Sequence, residues 1–227
     1  MTARICISIL PKNNIDALNL IEKAEKAQAD LIEVRLDCFE IFRNLSDLVG
    51  STTLPLIATN KLKSENGFFA GTESTRQQTL LNAAKNGFEY VDVDLLSAKH
   101  KETISQLKLM GAKTIISYHK FEGALDVSAM EKILDEELAG GASVCKIVTT
   151  AKQIEDNLPT LNFVSFASRK AKLVCFCMGE HGKISRLLSP LFGAFFTFAS
   201  LDQGSETAVG QMSIEEMKSA YNLLEIR

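Results

Sequence analysis

The chain has 227 residues, 46% hydrophobic and 23% charged, and its 25 basic and 28 acidic side chains leave a formal net charge of -3. That balance describes a globular, core-forming chain rather than a disordered one, and it gives no electrostatic ground for a nucleic-acid or anionic-membrane partner. No run approaches the roughly 20 apolar residues of a membrane span, and the apolar run 5–10 before Pro11 is too short for a secretion signal.

In chain order, β-branched and apolar runs predict buried strands at 5–10, 31–36, 55–59, 89–96, 113–119, 143–150, 172–178 and 194–200. Several are apolar on both faces, the mark of a parallel strand covered by helices. Between them runs helical spacing. Ile15, Leu18, Ile21 and Ala24 make one stripe, and Thr79 to Ala84, Ile104 with Leu107, and the stretches 128–138, 154–167 and 214–224 continue the series. Ser74 reads as the cap of the third helix, and Gly87, Gly111 and Gly140–Gly141 follow helix ends where a left-handed cap is wanted. About eight strand–helix units with no linker predict one domain over 1–227, an α/β fold of the (β/α)8 TIM-barrel type. No GxGxxG follows the first strand, which argues against a dinucleotide-binding sheet. The five cysteines show no zinc spacing and read as buried free thiols, so a reducing, cytoplasmic setting is expected.

In such a barrel, chemistry sits at the C-terminal ends of the strands. Lys146 is the sharpest candidate, since it lies between Val144, Cys145, Ile147 and Val148 where its ammonium cannot snorkel to water. Desolvation is expected to lower its pKa and free the amine to attack a carbonyl; the alternative is a lysine paired with a carboxylate on a neighbouring strand. His119 closes the preceding strand as a candidate general acid/base, or as a hydrogen-bonded end to that strand. His100 and His181 lie in polar segments and no ligand spacing is present, so no metal is expected. Glu33 and Arg35 share a strand face and can pair with each other or contact substrate, and Asp92 and Asp94 repeat the arrangement as a polar interior layer. Arg186 has the fork that suits a carboxylate, if it faces the barrel mouth.

The ordered set EVRLD (33–37), Glu65-Asn66-Gly67-Phe68, EYVDVD (89–94), SYHKF (117–121), VCKI (144–147), MGEHGKISR (178–186) and ETAVGQM (206–212) resembles the type I 3-dehydroquinate dehydratases. The resemblance runs along nearly the whole chain. It implies a commonly dimeric (β/α)8 barrel with no metal or organic cofactor, acting on 3-dehydroquinate. It also implies that Lys146 forms an imine with the C3 ketone and that His119 moves the C2 proton to the leaving C1 hydroxyl. Glu65 would orient His119, Arg186 would clamp the substrate carboxylate, and Glu33 and Arg35 would meet ring hydroxyls. Thr207 and Gln211 would close over the substrate. The chain departs from the pattern at Lys61, a substrate-binding position that often carries arginine, and at Asn66, where glycine is usual. Thr207 stands for a common serine and Val209 for a common proline. Two other readings stand beside this one: a class I aldolase-like Schiff-base barrel, which shares the lysine, and a non-catalytic binder of a carboxylated metabolite.

Overall fold

The computed structural model of the protein describes residues 3–40 and 44–225. Strand β1 (Ile5–Ile9) leads into helix α1 (Asn14–Lys26), followed by β2 (Leu31–Arg35), α2 (Ser46–Gly50), β3 (Leu56–Thr59) and α3 (Glu73–Lys85). The middle of the chain forms β4 (Tyr90–Asp94), α4 (His100–Leu109), β5 (Lys113–His119), α5 (Val127–Ala139), β6 (Val144–Thr150) and α6 (Asn157–Ala167). The chain closes with β7 (Leu173–Met178), α7 (Lys183–Leu188), β8 (Thr197–Ala199) and α8 (Ile214–Leu223).

Among the described residues, the strands join one parallel sheet of eight, with order β7-β6-β5-β4-β3-β2-β1-β8. Its two ends meet where the Phe195 N–H donates to the Leu173 carbonyl at 2.7 Å. The result is the expected (β/α)8 barrel, nearly closed. The last strand is shorter than its apolar run because its ladder partner β1 starts at Ile5, which pairs with Thr197, so residues before 197 have nothing in β1 to pair with. The third helix is capped by Thr72, whose hydroxyl accepts from the Thr75 N–H at 3.2 Å, and Ser74 lies inside the first turn instead. The segment 154–167 opens as a 3₁₀ turn, Ile154–Asp156, before α6, whose Pro159 sits in the first turn where no amide donor is missed. Helices α2 and α7 span five and six residues, too short for an apolar stripe to show in the sequence. Gly87, Gly111 and Gly141 have positive φ as anticipated, whereas Gly140 stays right-handed.

The period of two along each strand sorts the side chains between two compartments. Ile7, Ile32, Val34, Ala58, Val91, Val93 and Ile116 face outward into the core shared with the helices. Cys6, Leu31, Ile57, Tyr90, Ile115, Val144, Val174 and Phe196 fill the lower barrel interior as a dry plug. One step further along, the interior positions of β1 to β6 turn polar (Ser8, Glu33, Thr59, Asp92, Ser117 and Lys146, all buried), while β7 and β8 contribute Phe176 and Phe198. The apolar floor therefore sets the height at which the charged layer begins, and above it the barrel opens.

Candidate active site

A cavity of about 490 Å³ opens at the C-terminal ends of the strands, lined by Glu33, Arg35, Lys61, Glu65, His119, Lys146, Arg186, Thr207 and Gln211 among others. All nine residues singled out from the sequence thus reach one cavity.

Lys146 projects from β6 onto the apolar floor. Its Nζ donates to Asp92 Oδ2 at 3.1 Å, lies 3.6 Å from Glu33 Oε1, and stands 4.4 Å from the centroid of the Phe198 ring. The expected direction of its titration is reversed. Burial does push the ammonium toward losing its proton, but the opposing charges of Asp92 and Glu33 outweigh burial and hold its pKa above the ordinary lysine value. The resting lysine is a paired cation. The carboxylate side of that pair is itself well satisfied: Asp92 accepts from Ser117 Oγ at 2.8 Å and meets Lys61 Nζ at 3.0 Å through its other lysine contact. Despite burial, these cations keep Asp92 ionised, with its pKa well below the carboxylate range. Glu33 accepts from Thr59 Oγ1 at 2.9 Å and from Ser8 Oγ.

Arg35 does not pair with Glu33. Its guanidinium forks onto Asp37 at 2.9 and 2.6 Å, because the 3₁₀ turn Leu36–Cys38 swings Asp37 back beneath it. Asp37 also accepts the Phe68 N–H at 3.0 Å, and the Phe68 ring lies 5.9 Å from the Arg35 guanidinium. The loop after β3 is thereby tied to the end of β2. That loop folds tightly. Asn66 adopts φ 57° and ψ 29°, a left-handed conformation that asparagine tolerates in place of glycine. A Cβ at Gly67 would sit 2.1 Å from the Lys61 carbonyl oxygen, so only glycine fits there.

His119 ends β5 half-buried against the cavity, its ring stacked on Phe121 at 6.2 Å. Burial first, then the positive charges of Lys61 and Lys146, hold its pKa well below the ordinary histidine value. At neutral pH the imidazole is uncharged and able to accept a proton. Among the described residues no hydrogen bond joins Glu65 to His119; Glu65 Oε2 is shielded from water without a partner, and burial and the charge of Asp94 raise its pKa.

Arg186, in α7, is 1% exposed, and neither its Nε nor its Nη2 has a hydrogen-bond partner among the described residues. Its guanidinium rests 4.3 Å above the Phe176 ring, and burial pushes its pKa down to about 10. A buried cation with two idle donors is costly unless an anion completes it. Across the mouth, the Thr207 N–H and hydroxyl both donate to Gln211 Oε1, at 2.6 and 3.1 Å. The loop carrying them is pinned to the turn after β7 by the Gly179 N–H to Val209 carbonyl bond of 3.0 Å.

Ser117, Ser8, Thr59, Phe176 and Phe198 were not among the candidates drawn from the sequence, and Asp92 stood there only as part of a polar interior layer. Asp92 did carry a signal, the same-face pair Asp92 and Asp94 on β4. The serines and phenylalanines carried none, since both types are ordinary barrel filling.

The sequence matches a family model described as type I 3-dehydroquinase over residues 5–227. It is 34% identical over 196 residues to the 3-dehydroquinate dehydratase of Desulfotalea psychrophila, covering 85% of this chain and 86% of that one. It is 32% identical over 222 residues to the 3-dehydroquinate dehydratase of Methanococcus maripaludis, covering 97% and 99%. The fold superposes with a TM-score of 0.89, at 26% identity and covering 98% and 92%, on the type I 3-dehydroquinate dehydratase of Clostridium difficile solved with covalently modified comenic acid. With its barrel and its matched length, this chain belongs to the type I 3-dehydroquinase family.

Proposed function

We propose that the protein dehydrates 3-dehydroquinate to 3-dehydroshikimate through an imine on Lys146, as a step of the shikimate pathway. The observation that carries this reading is one cavity holding three complementary groups: the floor lysine Lys146, the uncharged His119 and the unpartnered cation Arg186. The substrate carboxylate pairs with Arg186, which sets the ring over Lys146. Lys146 must first give up a proton held by Asp92 and Glu33. Its nitrogen lone pair then forms the C–N bond to C3, and the carbonyl oxygen leaves as water. The resulting iminium draws electrons from the C2–H bond, whose proton passes to His119. The electron pair returns to form C1=C2 as the C1 hydroxyl departs, protonated by the same histidine. Water then adds to C3 and releases the ketone, restoring the amine. The net change is loss of one water. Glu33 and Arg35 face the ring hydroxyls, Glu65 closes the side toward His119, and Thr207 and Gln211 cover the top. The free thiols, four of them buried and Cys38 partly so, fit a cytoplasmic enzyme, and a homodimer is the assembly proposed from the resemblance.

The test is direct: adding 3-dehydroquinate should produce the absorbance of a conjugated enone, and a protein that binds the compound without producing it is not a dehydratase. In the same assay Arg186→Gln should raise KM roughly ten- to a hundredfold, the worth of about 1.5–3 kcal/mol for a charge-assisted hydrogen bond. The free variant should also be more stable, its melting point up by a few degrees, because a buried cation with idle donors has been removed. A raised KM together with a lowered melting point would mean that Arg186 is held by contacts other than substrate.

A further inference from the structure

We infer that Lys61 serves this reaction as a positioning residue, competing with Lys146 for the Asp92 carboxylate instead of gripping the substrate. The inference rests on the proposed imine chemistry. Lys61 Nζ is 3.0 Å from Asp92 Oδ1 and 3.5 Å from Asp94 Oδ2, and it donates to Ser117 Oγ at 3.0 Å. The ammonium thus holds one hydrogen bond and lies within ion-pair distance of two carboxylates. Lys61 is 7% exposed, and its backbone is clamped by the Phe69 N–H to Lys61 carbonyl bond and by the close approach of Gly67. Its ammonium is committed to Ser117 and the two β4 carboxylates although the residue lines the cavity.

What this arrangement does to its neighbours follows from charge. Asp92 stands between two ammonium groups, one per oxygen, with Ser117 on the Lys61 side. The groups acting on Lys146 are the carboxylates of Asp92 and Glu33 and the thiol of Cys6. Of these, Asp92 is the one whose field Lys61 partly cancels, so Lys61 eases loss of the Lys146 proton to water or buffer. The amine keeps the electron pair it then donates to the carbonyl carbon. A neighbouring cation is a general way to make a lysine nucleophilic. His119 faces Lys61, Lys146, Asp92 and Arg35, and Lys61 is the strongest of the cations opposing its protonation. One buried cation therefore favours the basic form of both reacting groups.

Lys61→Met keeps the stem and removes the charge. The pH profile of kcat with 3-dehydroquinate should move toward higher pH by about one unit, the low end of what one nearby charge does. At pH 7 the rate of borohydride inactivation in the presence of 3-dehydroquinate should fall about tenfold. Lys61→Arg should restore the wild-type profile, since any cation at this place suffices. If Lys61→Met leaves Asp94 orphaned and the protein fails to fold, the double variant with Asp94→Asn removes that carboxylate, is read against Asp94→Asn alone, and carries the same expectation. Labelling of Lys146 by formaldehyde and cyanoborohydride should show the same displacement with no dehydroquinate present, which separates this inference from the assignment of substrate. A profile superimposable on wild type, or a raised KM with an unmoved profile, overturns it.

Discussion

Lys146→Ala should fold normally and lose more than about 10⁴-fold in kcat, more than the ~10²–10⁴ that acid–base assistance alone contributes. Folding should survive because both carboxylates left behind keep hydrogen-bond donors. Asp92 still meets Lys61 and Ser117, and Glu33 still accepts from Thr59 and Ser8. Activity should not survive, because without an imine the C2 proton has no cationic electron sink. Lys146→Arg sharpens the point. It supplies the cation that Asp92 and Glu33 require, yet a guanidinium does not deprotonate at working pH and forms no imine. Arginine at 146 with near-wild-type turnover would show that the residue acts by charge alone.

His119→Ala should behave differently. Its kcat should fall by about 10²–10⁴-fold, the usual share of a positioned acid–base group, while borohydride still captures substrate on Lys146. The two losses separate because the lysine opens the reaction and the histidine moves the proton afterwards. In the wild type, the acid side of the kcat profile should reflect protonation of His119. Since burial and the cations Lys61 and Lys146 depress that pKa, activity should persist well below the pH where an exposed histidine becomes charged. An acid limb near the ordinary histidine value would contradict the environment described for the ring. An unchanged kcat in His119→Ala would remove the histidine from the mechanism.

Much of this protein was legible in its sequence because a parallel barrel writes its pattern plainly. Doubly buried strands are apolar runs, and a charge inside such a run stands out, which is how Lys146, Arg35 and Asp92 were noticed. The partners of those charges were not legible. Glu33 and Arg35 are two apart and share a face, which suggested that they pair. The turn after β2 instead brings Asp37 back under the guanidinium and leaves Glu33 to the lysine layer. Likewise, burial was read as lowering the Lys146 pKa, because a sequence shows the apolar neighbours along one strand and hides the carboxylates facing it across the barrel. Asp92 sits 54 residues from Lys146, and together with Glu33 it more than offsets what burial removes. The asparagine-for-glycine departure at Asn66 is conformational, a left-handed residue in a tight loop. The resemblance supplied the roles of Arg186, Glu65, Thr207 and Gln211. The structure places all four on the cavity and gives Arg186 its two idle donors.

The proposed chemistry turns on a covalent bond at one nitrogen. Borohydride added to the wild-type enzyme during turnover of 3-dehydroquinate, followed by digestion and mass spectrometry, reads that bond directly. The expected result is loss of activity with a peptide containing Lys146 heavier by the ligand, less one water and plus two hydrogens. An active enzyme whose Lys146 stays unmodified under borohydride, or which carries the label on another lysine, would contradict it.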